Sequence, residues 1–445
     1  MDNCQRVVIV GAGFGGLSAA VKLAKLRVGH ECVVTVIDRN THHLYTPLTY
    51  EVATGWMDPH DEVSSAMAVG ERELAEGVSV NWDDLRTQFA PRGINVVYDE
   101  VGGVDWAMNE VILTSGKRVP FDHLVLATGG AVDHYGITGL ADHSHNLYSL
   151  RQAFAIRRHL HALVMQRIKN EIPFIRVMIG GAGPAGVEFA AELARCMRKL
   201  VRIGKLTPSD YSIEIVEANN RVLPTFHKDM SKWARTRLES LGVRLVLDAC
   251  IKGAHKDHVV LVPRPLREGE KSEDLVCDFR KESEKEVTTD LLVWAGGVKA
   301  NPLLGSLGLP LDRRGKVETD MSLRVRGKDN VWALGDAASI SDPKTKMPVP
   351  PLAQAAIKQS DVLSMNIIRA MRKEPLLNYD FPHMHAIVPL GATYGLAEVF
   401  GIRFKGHIVT FLRLAADARY YFNTFPFAQA WKIFWTGARV YRRND

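Results

Sequence analysis

The stretch VVIVGAGFGGLSAAVKL, residues 7–23, decides the fold. Its first four residues are apolar and mostly β-branched, as in a parallel strand that is buried on both faces. Gly11 then permits a tight turn, Gly13 lets the backbone approach a pyrophosphate, and Gly16 lets the next helix pack closely on the strand. A second apolar strand, CVVTVID, ends in Asp38, 22 residues beyond Gly16, where a carboxylate can accept both hydroxyls of an adenosine ribose. These features predict a dinucleotide-binding domain.

A second copy of this pattern lies in GGAGPAGVEFAAEL, residues 180–193. Its glycines are Gly181, Gly183 and Gly186. The following strand, SIEIVE, ends in Glu217, 31 residues after Gly186, because a polar stretch lengthens the connection. We assign Glu217 the same ribose role. A carboxylate repels the 2′-phosphate of NADP, so NADH is the expected ligand, while nearby Arg221 keeps NADPH open as an alternative.

The duplication extends beyond the glycines. Gly129, in FDHLVLATGG, follows Gly11 by 118 residues, and Gly296, in TDLLVWAGG, follows Gly181 by 115. A later strand, DNVWALGDAAS, delivers Asp336 to a point where its carboxylate can bond a ligand hydroxyl. The sequence therefore predicts an α/β protein with two Rossmann-like domains, the second inserted in the first.

Bulk composition limits the alternatives. A chain of 445 residues with 46% hydrophobic and 24% charged residues can bury large cores and suggests two or three domains. The five cysteines are scattered singly, so neither a disulfide framework nor a metal site is expected. No signal peptide is visible, and hydrolase motifs such as HExxH, GxSxG or a P-loop are absent from the sequence. We expect a protein that stays in the cytosol.

The C-terminal tail carries the charge excess. Residues 403–445 hold eight basic and two acidic residues, which equals the whole net charge of +6. The rest of the chain is balanced, which argues against a nucleic-acid partner and for a local anionic one. From Gly401 onward lie 11 of the 35 aromatic residues, and no uncharged run there reaches the roughly 20 residues that span a bilayer.

After Pro426 the tail shows a helical pattern with an apolar face and an adjacent basic side. The apolar face contains Trp431, Phe434, Trp435, Ala438 and Tyr441, and the basic side contains Lys432, Arg439 and Arg443. This pattern is typical of a helix lying in a membrane interface with its cations on anionic headgroups. The alternative is a helix that packs on its own domain or across a homodimer.

Several motifs together carry a family resemblance. GAGFGG, IDRNTHHLYTPL, ATGG, GAGPAGVE, WAGGVKANPL and ALGDAA resemble the flavoproteins with two dinucleotide-binding domains, and most closely the type II NADH:quinone oxidoreductases, over about residues 5–400. The resemblance implies non-covalent FAD in the first domain and NADH as substrate in the second. It also implies hydride transfer to FAD, electron transfer to a membrane quinone without proton pumping, and a peripheral position on the cytoplasmic face of the membrane.

On this resemblance the chain divides into four segments. They are 1–148 (first part of the FAD domain), 149–298 (NADH domain), 299–380 (second part of the FAD domain) and 381–445 (membrane-association or dimerisation region).

The resemblance also implies three catalytic residues. Glu188 is similar to the family's acid beside the nicotinamide, where it orients the carboxamide or handles a quinone proton; the alternative is a surface helix glutamate. The family's quinone motif reads AQ, any residue, A, any residue, Q. Here Gln354 matches, but Lys358 replaces the second glutamine, which puts an ordinary quinone acceptor in doubt. Simple helix packing beside the flavin is the alternative for Gln354.

The cofactor-binding residues follow from the same motifs. For FAD they are Gly11, Gly13, Gly16, Asp38, Arg39, Ala127, Thr128, Gly129, Gly335, Asp336 and Ala353, and for NADH they are Gly181, Gly183, Gly186, Glu217 and Gly296. Asp336 is expected at the ribityl chain, and the helix from Ala353 at the flavin ring. His42 and His43 are expected near the flavin or adenine, or else as loop residues. Thr46, Thr49 and Glu51 depart from the family's more apolar or amide pattern.

Two other functions remain open from the sequence. One is a related NAD(P)H-dependent flavin reductase with a non-quinone acceptor; a sulfide:quinone type would need reactive cysteines, for which Cys196 and Cys277 are the candidates, and a ferredoxin-reductase-like type would need a protein docking patch. The other is a non-catalytic flavoprotein that senses NADH.

Overall fold

The fold was analysed in a computed structural model. It describes residues 4–26, 32–55, 65–264, 284–343, 348–381, 385–391 and 393–443, with backbone alone at 65–69 and 440–443. All structural statements below concern these residues.

The described chain alternates strands and helices. The α-helices are α1 (Phe14–Leu26), α2 (Thr49–Ala53), α3 (Ser65–Val78), α4 (Trp82–Phe89), α5 (Leu140–His143), α6 (Leu150–Ile168), α7 (Pro184–Arg202), α8 (Lys228–Ser240), α9 (Leu303–Ser306), α10 (Ala353–Met371), α11 (Ile408–Thr424) and α12 (Phe427–Arg443). Short 3₁₀ turns span Thr46–Leu48, Ala90–Arg92, Pro208–Asp210 and Gly335–Ala337.

The strands are mostly short. They are β1 (Gln5–Val10), β2 (Cys32–Asp38), β3 (His42–Leu44), β4 (Ser79–Asn81), β5 (Ile94–Tyr98), β6 (Val101–Asp105), β7 (Glu110–Leu113), β8 (Arg118–Pro120), β9 (His123–Leu126), β10 (Gly130–Val132), β11 (His145–Asn146), β12 (Ile175–Gly180), β13 (Tyr211–Val216), β14 (Val243–Val246), β15 (Ala249–Ala254), β16 (His258–Pro263), β17 (Lys285–Thr288), β18 (Leu291–Trp294), β19 (Val298–Ala300), β20 (Val317–Glu318), β21 (Val331–Ala333), β22 (Ala338–Ser339), β23 (Ala386–Pro389), β24 (Gly395–Val399) and β25 (Ile402–Gly406).

The first of two five-stranded parallel sheets has the order β21-β9-β1-β2-β5. In β1, Val7 pairs with Val34 of β2 on one side and with His123 of β9 on the other. Helix α1 packs along α10, which brings the start and the end of the sheet's sequence together. Val7 and Ile9 are fully buried, and burial of each such side chain contributes roughly 1.5–3 kcal/mol.

The second parallel sheet has the order β11-β18-β12-β13-β14 and is flanked by α7 and α8. Its strands lie in the chain between β9 and β21, which are neighbours in the first sheet. The predicted fold class, two Rossmann-like units with one inserted in the other, is therefore confirmed. Because β11 already belongs to the second sheet, that sheet begins at His145, shortly before the predicted segment boundary at residue 149.

The C-terminal region follows α10. An antiparallel meander, β23-β24-β25, leads into α11 and α12. Helix α12 packs against α3 and α11, and α11 packs against the meander. The predicted C-terminal helix is present, but it is the second of a pair, and the first of the pair buries one face on the protein.

Two sequence expectations need correction here. Cys250 is disulfide-bonded, whereas no disulfide was expected; Cys4, Cys32 and Cys196 are in no disulfide. Helix α6, for which the sequence predicts a solvated basic face, is capped by Ser149 and buries Arg157. The sequence also predicts a solvated hairpin over the charge-dense residues 264–286, most of which lie outside the described residues.

Candidate functional site

The first glycine loop connects β1 to α1 at the carboxyl end of the sheet. Gly11 has a φ of +100°, and a Cβ there would lie 2.3 Å from the carbonyl oxygen of Ala127. A Cβ on Gly16 would lie 1.9 Å from the carbonyl oxygen of Gly11. Around Gly13, in contrast, no described protein atom comes within 4 Å of that position. Two glycines therefore serve the packing of the loop, and the middle one leaves open space at the start of α1.

The second glycine loop, between β12 and α7, repeats this geometry. Gly181 has a φ of +103°, and its Cβ would lie 2.8 Å from the carbonyl oxygen of Ala295. A Cβ on Gly186 would lie 2.0 Å from the carbonyl oxygen of Gly181, while Gly183 again faces open space. The two loops are thus equivalent, and each has room for a phosphate against unpaired N–H groups at a helix start.

The two predicted ribose acids also match. Asp38 accepts a hydrogen bond from the Ala12 N–H at 2.7 Å, and Glu217 accepts one from the Ala182 N–H at 2.7 Å. Each carboxylate additionally accepts from an asparagine two residues later, Asn40 or Asn219. The acid is therefore held beside its glycine loop by contacts within the protein. Arg39 lies next to this group but points to the surface, where it pairs with Glu100.

The segment ATGG and the later ALGDAA meet in the first sheet. Asp336 lies on the 3₁₀ turn after β21, beside Gly130, and burial raises its pKa while Lys316 lowers it. Tyr148 brackets Gly130: its hydroxyl accepts from the Gly130 N–H at 3.0 Å and donates to the Gly130 carbonyl at 2.8 Å. Asp336 is therefore held next to the ATGG turn.

The remaining predicted residues of this half lie on connected turns. Asn301 donates to the Thr128 carbonyl at 3.3 Å, and Gly129 and Gly335 both have a left-handed φ. The Gly335 N–H donates to the side-chain oxygen of Gln359 at 2.6 Å. Gln359 is fully buried in α10. The family motif did not predict it as a site residue, because the motif places its second glutamine at the adjacent position, which is Lys358 here.

In the second half, Gly296 lies directly after β18. A Cβ on it would lie 2.3 Å from the Trp294 ring, whose indole N–H donates to the Asp133 carbonyl at 2.7 Å. The glycine therefore makes room for an aromatic ring that closes the end of this strand.

The three predicted catalytic residues lie in different surroundings. Glu188, in the first turns of α7, has its pKa raised to about 8 by burial, against the opposing charge of Arg413. Gln354 is half-buried at the start of α10, one residue after Ala353, and donates to the carbonyl of His385 at the beginning of the C-terminal meander. Lys358 is exposed.

Glu188 is partly exposed and lies within electrostatic reach of a buried polar cluster, to which α2, α7 and α11 contribute. Arg413 of α11 donates to the Tyr50 hydroxyl of α2, and its guanidinium lies 3.9 Å from the Glu51 carboxylate. One turn along α7 from Glu188, Glu192 pairs with Arg195 at 3.7 Å. Burial acts to lower the pKa of Arg413, but the surrounding tyrosine and acids raise it above its ordinary value, so this cation stays charged.

The cluster extends along α11. Asp417 accepts a hydrogen bond from the Tyr45 hydroxyl at 2.5 Å, and burial raises the pKa of this aspartate while Arg413 lowers it. The sequence treated Arg413 as one of the tail's surface cations; the structure buries it instead. The only sequence sign of the cluster was the unusual Glu51, a charge inside an otherwise apolar pattern, which requires a buried partner.

The tail aromatics divide into two groups. Tyr420, Tyr421 and Phe425, which precede the predicted apolar face, are buried against the first domain. Five others are exposed on α11 and α12, namely Phe411, Phe422, Phe427, Trp431 and Trp435, and the last four are linked by ring contacts. We call these five the exposed aromatic surface. Phe434 points inward, and the side chains of Tyr441 and Arg443 lie outside the described residues.

Among the described residues, no helix combines the length and hydrophobicity that crossing a bilayer requires.

Two equivalent loop-and-acid sites on two parallel sheets, one sheet inserted in the sequence of the other, define a protein of the two-dinucleotide-site oxidoreductase class. Residues 5–360 match the pyridine nucleotide-disulphide oxidoreductase family, and the chain belongs to that family.

Curated relatives and solved structures agree with this assignment. The type II NADH:quinone oxidoreductase of Haemophilus influenzae is 28% identical over 425 residues, covering 89% of this chain and 88% of the relative. Its counterpart from Staphylococcus aureus strain NCTC 8325 is 25% identical over 94% of this chain and 96% of the relative. The predicted resemblance and enzyme class are thereby confirmed.

The fold has close structural counterparts as well. NDH2 from Plasmodium falciparum, solved in complex with NADH, superposes with a TM-score of 0.78 at 16% identity, over 98% of both chains. The sulfide:quinone oxidoreductase of Aquifex aeolicus superposes with a TM-score of 0.72 at 17% identity, over 97% of this chain and 92% of that one.

Proposed function

We propose that this protein is a FAD-dependent NADH:quinone oxidoreductase that works at a membrane surface. The observation that carries the proposal is the pair of matching loop-and-acid sites, of which the second opens directly into the helix that bears Glu188. One nucleotide site suits a resident cofactor, and the other suits a nucleotide substrate that brings the hydride. The names of the curated relatives support the same reaction.

The residues of the first half fit FAD. The open space at Gly13 and the ready acid at Asp38 suit a pyrophosphate and an adenosine ribose. Asp336, beside the ATGG turn, would bond the ribityl hydroxyls. When bound, FAD accepts a hydride and passes on its two electrons.

The residues of the second half fit NADH. Gly183 faces open space, and Glu217 is held for the ribose by Ala182 and Asn219. Arg221, the residue that kept NADPH open, uses its side chain to donate to the Pro224 carbonyl. Because Glu217 repels a 2′-phosphate, NADH remains the preferred nucleotide in this proposal.

The buried cluster fits the proton balance of the reaction. Oxidation of NADH by a quinone gives NAD⁺ and a quinol and consumes one proton, and that proton needs a donor near the site. With a pKa of about 8, Glu188 holds a proton at neutral pH. Arg413 keeps its charge and opposes protonation of Glu188. The pKa of Glu188 therefore stays close enough to neutral pH for the acid to release its proton and take up another.

The acceptor side is proposed at the start of α10. Gln354 is half-buried there and contacts the C-terminal meander, whereas Lys358 is exposed and free to reach a bound head group. A lysine can donate to a quinone oxygen, so its place in the family motif changes the donor without removing it. Both remain proposed contacts.

The exposed aromatic surface is proposed to lie in the membrane interface. Phe427 and Trp431 stack with centroids 6.2 Å apart, and Lys432 and Arg439 are exposed on the same helix. Aromatic side chains with flanking cations suit the headgroup region of an anionic bilayer. The alternative occupant is a second copy of this chain. Sedimentation with and without anionic vesicles distinguishes the two occupants. A protein that binds membranes sediments with the vesicles, whereas a dimer has the same mass whether or not vesicles are present.

A sulfide:quinone activity is disfavoured. Cys196 is buried, donates to the Thr54 carbonyl at 2.9 Å, and has its pKa raised to about 12 by burial. A thiol in that state is a poor nucleophile. Cys277, the other candidate, lies outside the described residues.

The test separates the two half-reactions by stopped flow. In Glu188→Gln, the glutamine keeps the shape but cannot release a proton. We expect reoxidation by a short-chain quinone to slow by about 100-fold or more, while NADH still bleaches the flavin absorbance within a few fold of the wild-type rate. Glu239→Gln, a surface glutamate paired with Arg235, is the matched control. Failure of NADH to bleach the flavin overturns the proposed function, and unchanged reoxidation removes Glu188 from it.

A second variant examines the charge in the cluster. Arg413→Gln removes the cation that opposes protonation of Glu188, so the alkaline limb of the reoxidation rate is expected to move to higher pH. Arg413→Lys should leave the limb near its original position. If both variants are reoxidised more slowly but the alkaline limb stays at the same pH, Arg413 stabilises the fold and does not set the pKa of Glu188.

A further inference from the structure

The two glycine loops differ at one backbone carbonyl. In the second loop, the Ala182 carbonyl accepts a hydrogen bond from the backbone N–H of Leu223 at 2.8 Å. In the first loop, the equivalent carbonyl, that of Ala12, has a side-chain partner instead: Nδ1 of His43, at 2.9 Å. The second loop is therefore closed by its own domain's backbone, whereas the first depends on a histidine from β3.

The contacts of His43 fix its tautomer. A carbonyl oxygen can only accept, so Nδ1 must carry the proton that bonds Ala12. Burial lowers the pKa of His43 to about 4, so the ring is neutral and its Nε2 has a lone pair. The Tyr420 hydroxyl lies 2.9 Å from Nε2 and therefore donates to it. One proton arrangement satisfies all three groups.

Tyr420 comes from the C-terminal helix α11, which is 377 residues away from His43 in the chain. Its ring also packs on Phe14, the first residue of α1, with centroids 4.9 Å apart, and on Tyr45 at 5.5 Å. Both His43 and Tyr420 are buried. Helix α11 thus contacts the start of α1 directly through Phe14, and it contacts the preceding glycine loop indirectly through His43.

We propose that Tyr420, acting through His43, is a positioning residue for the first glycine loop, so that helix α11 controls how tightly the flavin nucleotide is held without affecting the nicotinamide nucleotide. This inference rests on the proposed function in that it assigns FAD to the first loop. It gives the C-terminal region a second role beside the proposed membrane contact.

The physical reason is the loss of an orienting hydrogen bond. Without the Tyr420 hydroxyl, Nε2 is a buried acceptor with no donor, and the imidazole ring loses the contact that fixes it from the side of α11. The proton stays on Nδ1, but the hydrogen bond that holds the Ala12 carbonyl against β3 then comes from a ring that is anchored on one side only. A buried polar group left without its partner costs about 1–3 kcal/mol. Part of that cost falls on the loop geometry that binds the cofactor.

The experiment measures flavin release in the full-length holoprotein. Tyr420→Phe removes only the hydroxyl, and the dissociation constant for FAD is read from the rise in free-flavin fluorescence on dilution. We expect it to increase about tenfold. Tyr421→Phe is the matched control: this neighbouring tyrosine is equally buried, and within the described part of the chain its hydroxyl has no hydrogen-bond partner. NADH affinity, measured on the same samples, should not change in either variant.

A double-mutant cycle distinguishes this coupling from general loosening of the fold. In a His43→Gln background the hydroxyl has no imidazole to orient, so the added Tyr420→Phe change should leave flavin release unaltered. Equal flavin release in Tyr420→Phe and Tyr421→Phe overturns the inference, as does a parallel loss of NADH affinity or full additivity in the cycle. A wild-type protein that binds no flavin overturns the proposed function instead.

Discussion

The two glycine loops of this protein share almost every contact and differ in what stabilises them. Both use a left-handed first glycine, a third glycine against a carbonyl, and an acid bonded to the intervening alanine N–H. The second loop completes this set with a backbone bond from Leu223. The first needs His43 and, behind it, a tyrosine from the opposite end of the chain.

This difference separates a self-contained site from a dependent one. A site that a substrate enters and leaves on every turnover can be completed within one domain. A site proposed for a resident cofactor is here completed by a helix 377 residues further along the chain than His43. The comparison teaches that equivalent sequence motifs can have different dependence on distant structure.

The largest effect is expected from substitution of the third glycine, which has the same packing role in both loops. In Gly16→Ala and Gly186→Ala, the new methyl group would lie about 2 Å from a backbone carbonyl oxygen that cannot move aside. We expect each to lower the free energy of unfolding by more than about 3 kcal/mol. Urea unfolding followed by circular dichroism measures this. Near-wild-type stability in either variant would show that the loop relaxes more easily than its packing suggests.

The next effect is a pH dependence of the free energy of unfolding, which we expect from the first loop and not from the second. His43 is protonated with an ordinary pKa near 6.5 when unfolded, but only near 4 in the native protein, since burial outweighs the opposing effects of Ala12 and Asp38, with His42 a minor further factor. The unfolded chain therefore binds more protons between these values, and stability falls as the pH is lowered through them. From pH 7 to pH 5 this group should account for about 2 kcal/mol.

The measurement compares wild type with His43→Gln at both pH values. The variant should lose less stability on acidification, by about the amount assigned to His43. Equal losses in the two proteins would contradict the buried neutral tautomer. Leu223, the equivalent partner in the second loop, bonds through a backbone N–H that does not titrate.

The middle glycines sharpen the comparison by separating the two ligands. Gly13→Ala and Gly183→Ala introduce a methyl group into open space at an ordinary φ, so stability should hold or rise by up to about 1 kcal/mol. Each should weaken only its own ligand, FAD or NADH respectively, by about tenfold. Fluorescence titration of both ligands on both variants checks this. Loss of both ligands in one variant would mean that the sites are coupled through the loops.

The smallest effect is on nucleotide choice. Glu217→Gln removes the negative charge beside the second loop and keeps an acceptor for the Ala182 N–H. The ratio of kcat/KM for NADPH to that for NADH should rise about fivefold, because the repulsion of a 2′-phosphate is lost. Asp38→Asn, the equivalent change in the first loop, should leave that ratio unchanged. A shift in the ratio with Asp38→Asn would contradict the assignment of the two ligands.

Sequence patterns predicted the parts of the site that are local. The glycine spacing and the strand-ending acids depend on residues within one βαβ unit, where backbone geometry leaves few choices. Even the insertion of one unit in the other follows from the order of Gly11, Gly181 and Asp336 along the chain. The raised pKa of Glu188 could not be predicted, because it depends on burial by other helices.

The C-terminal region shows the limit most clearly. The sequence predicted an apolar aromatic face after Pro426, where Trp431 and Trp435 face outward, but it did not predict that Tyr420 and Tyr421 of the preceding helix face the interior. Arg413 was counted with the surface cations but lies buried near Glu51. Helical spacing identifies which residues share a face, but it does not identify the surface that the face meets.

By itself the sequence determined two dinucleotide-binding units, their nesting, and the residues of their loops, because those features come from short-range backbone constraints that a glycine or an acid at one position satisfies. Only the tertiary structure decided that Tyr420 completes the first loop through His43 and that Arg413 acts on Glu188. Those contacts join residues more than 200 positions apart, and their strength comes from the exclusion of water, which exists only once the helices have packed.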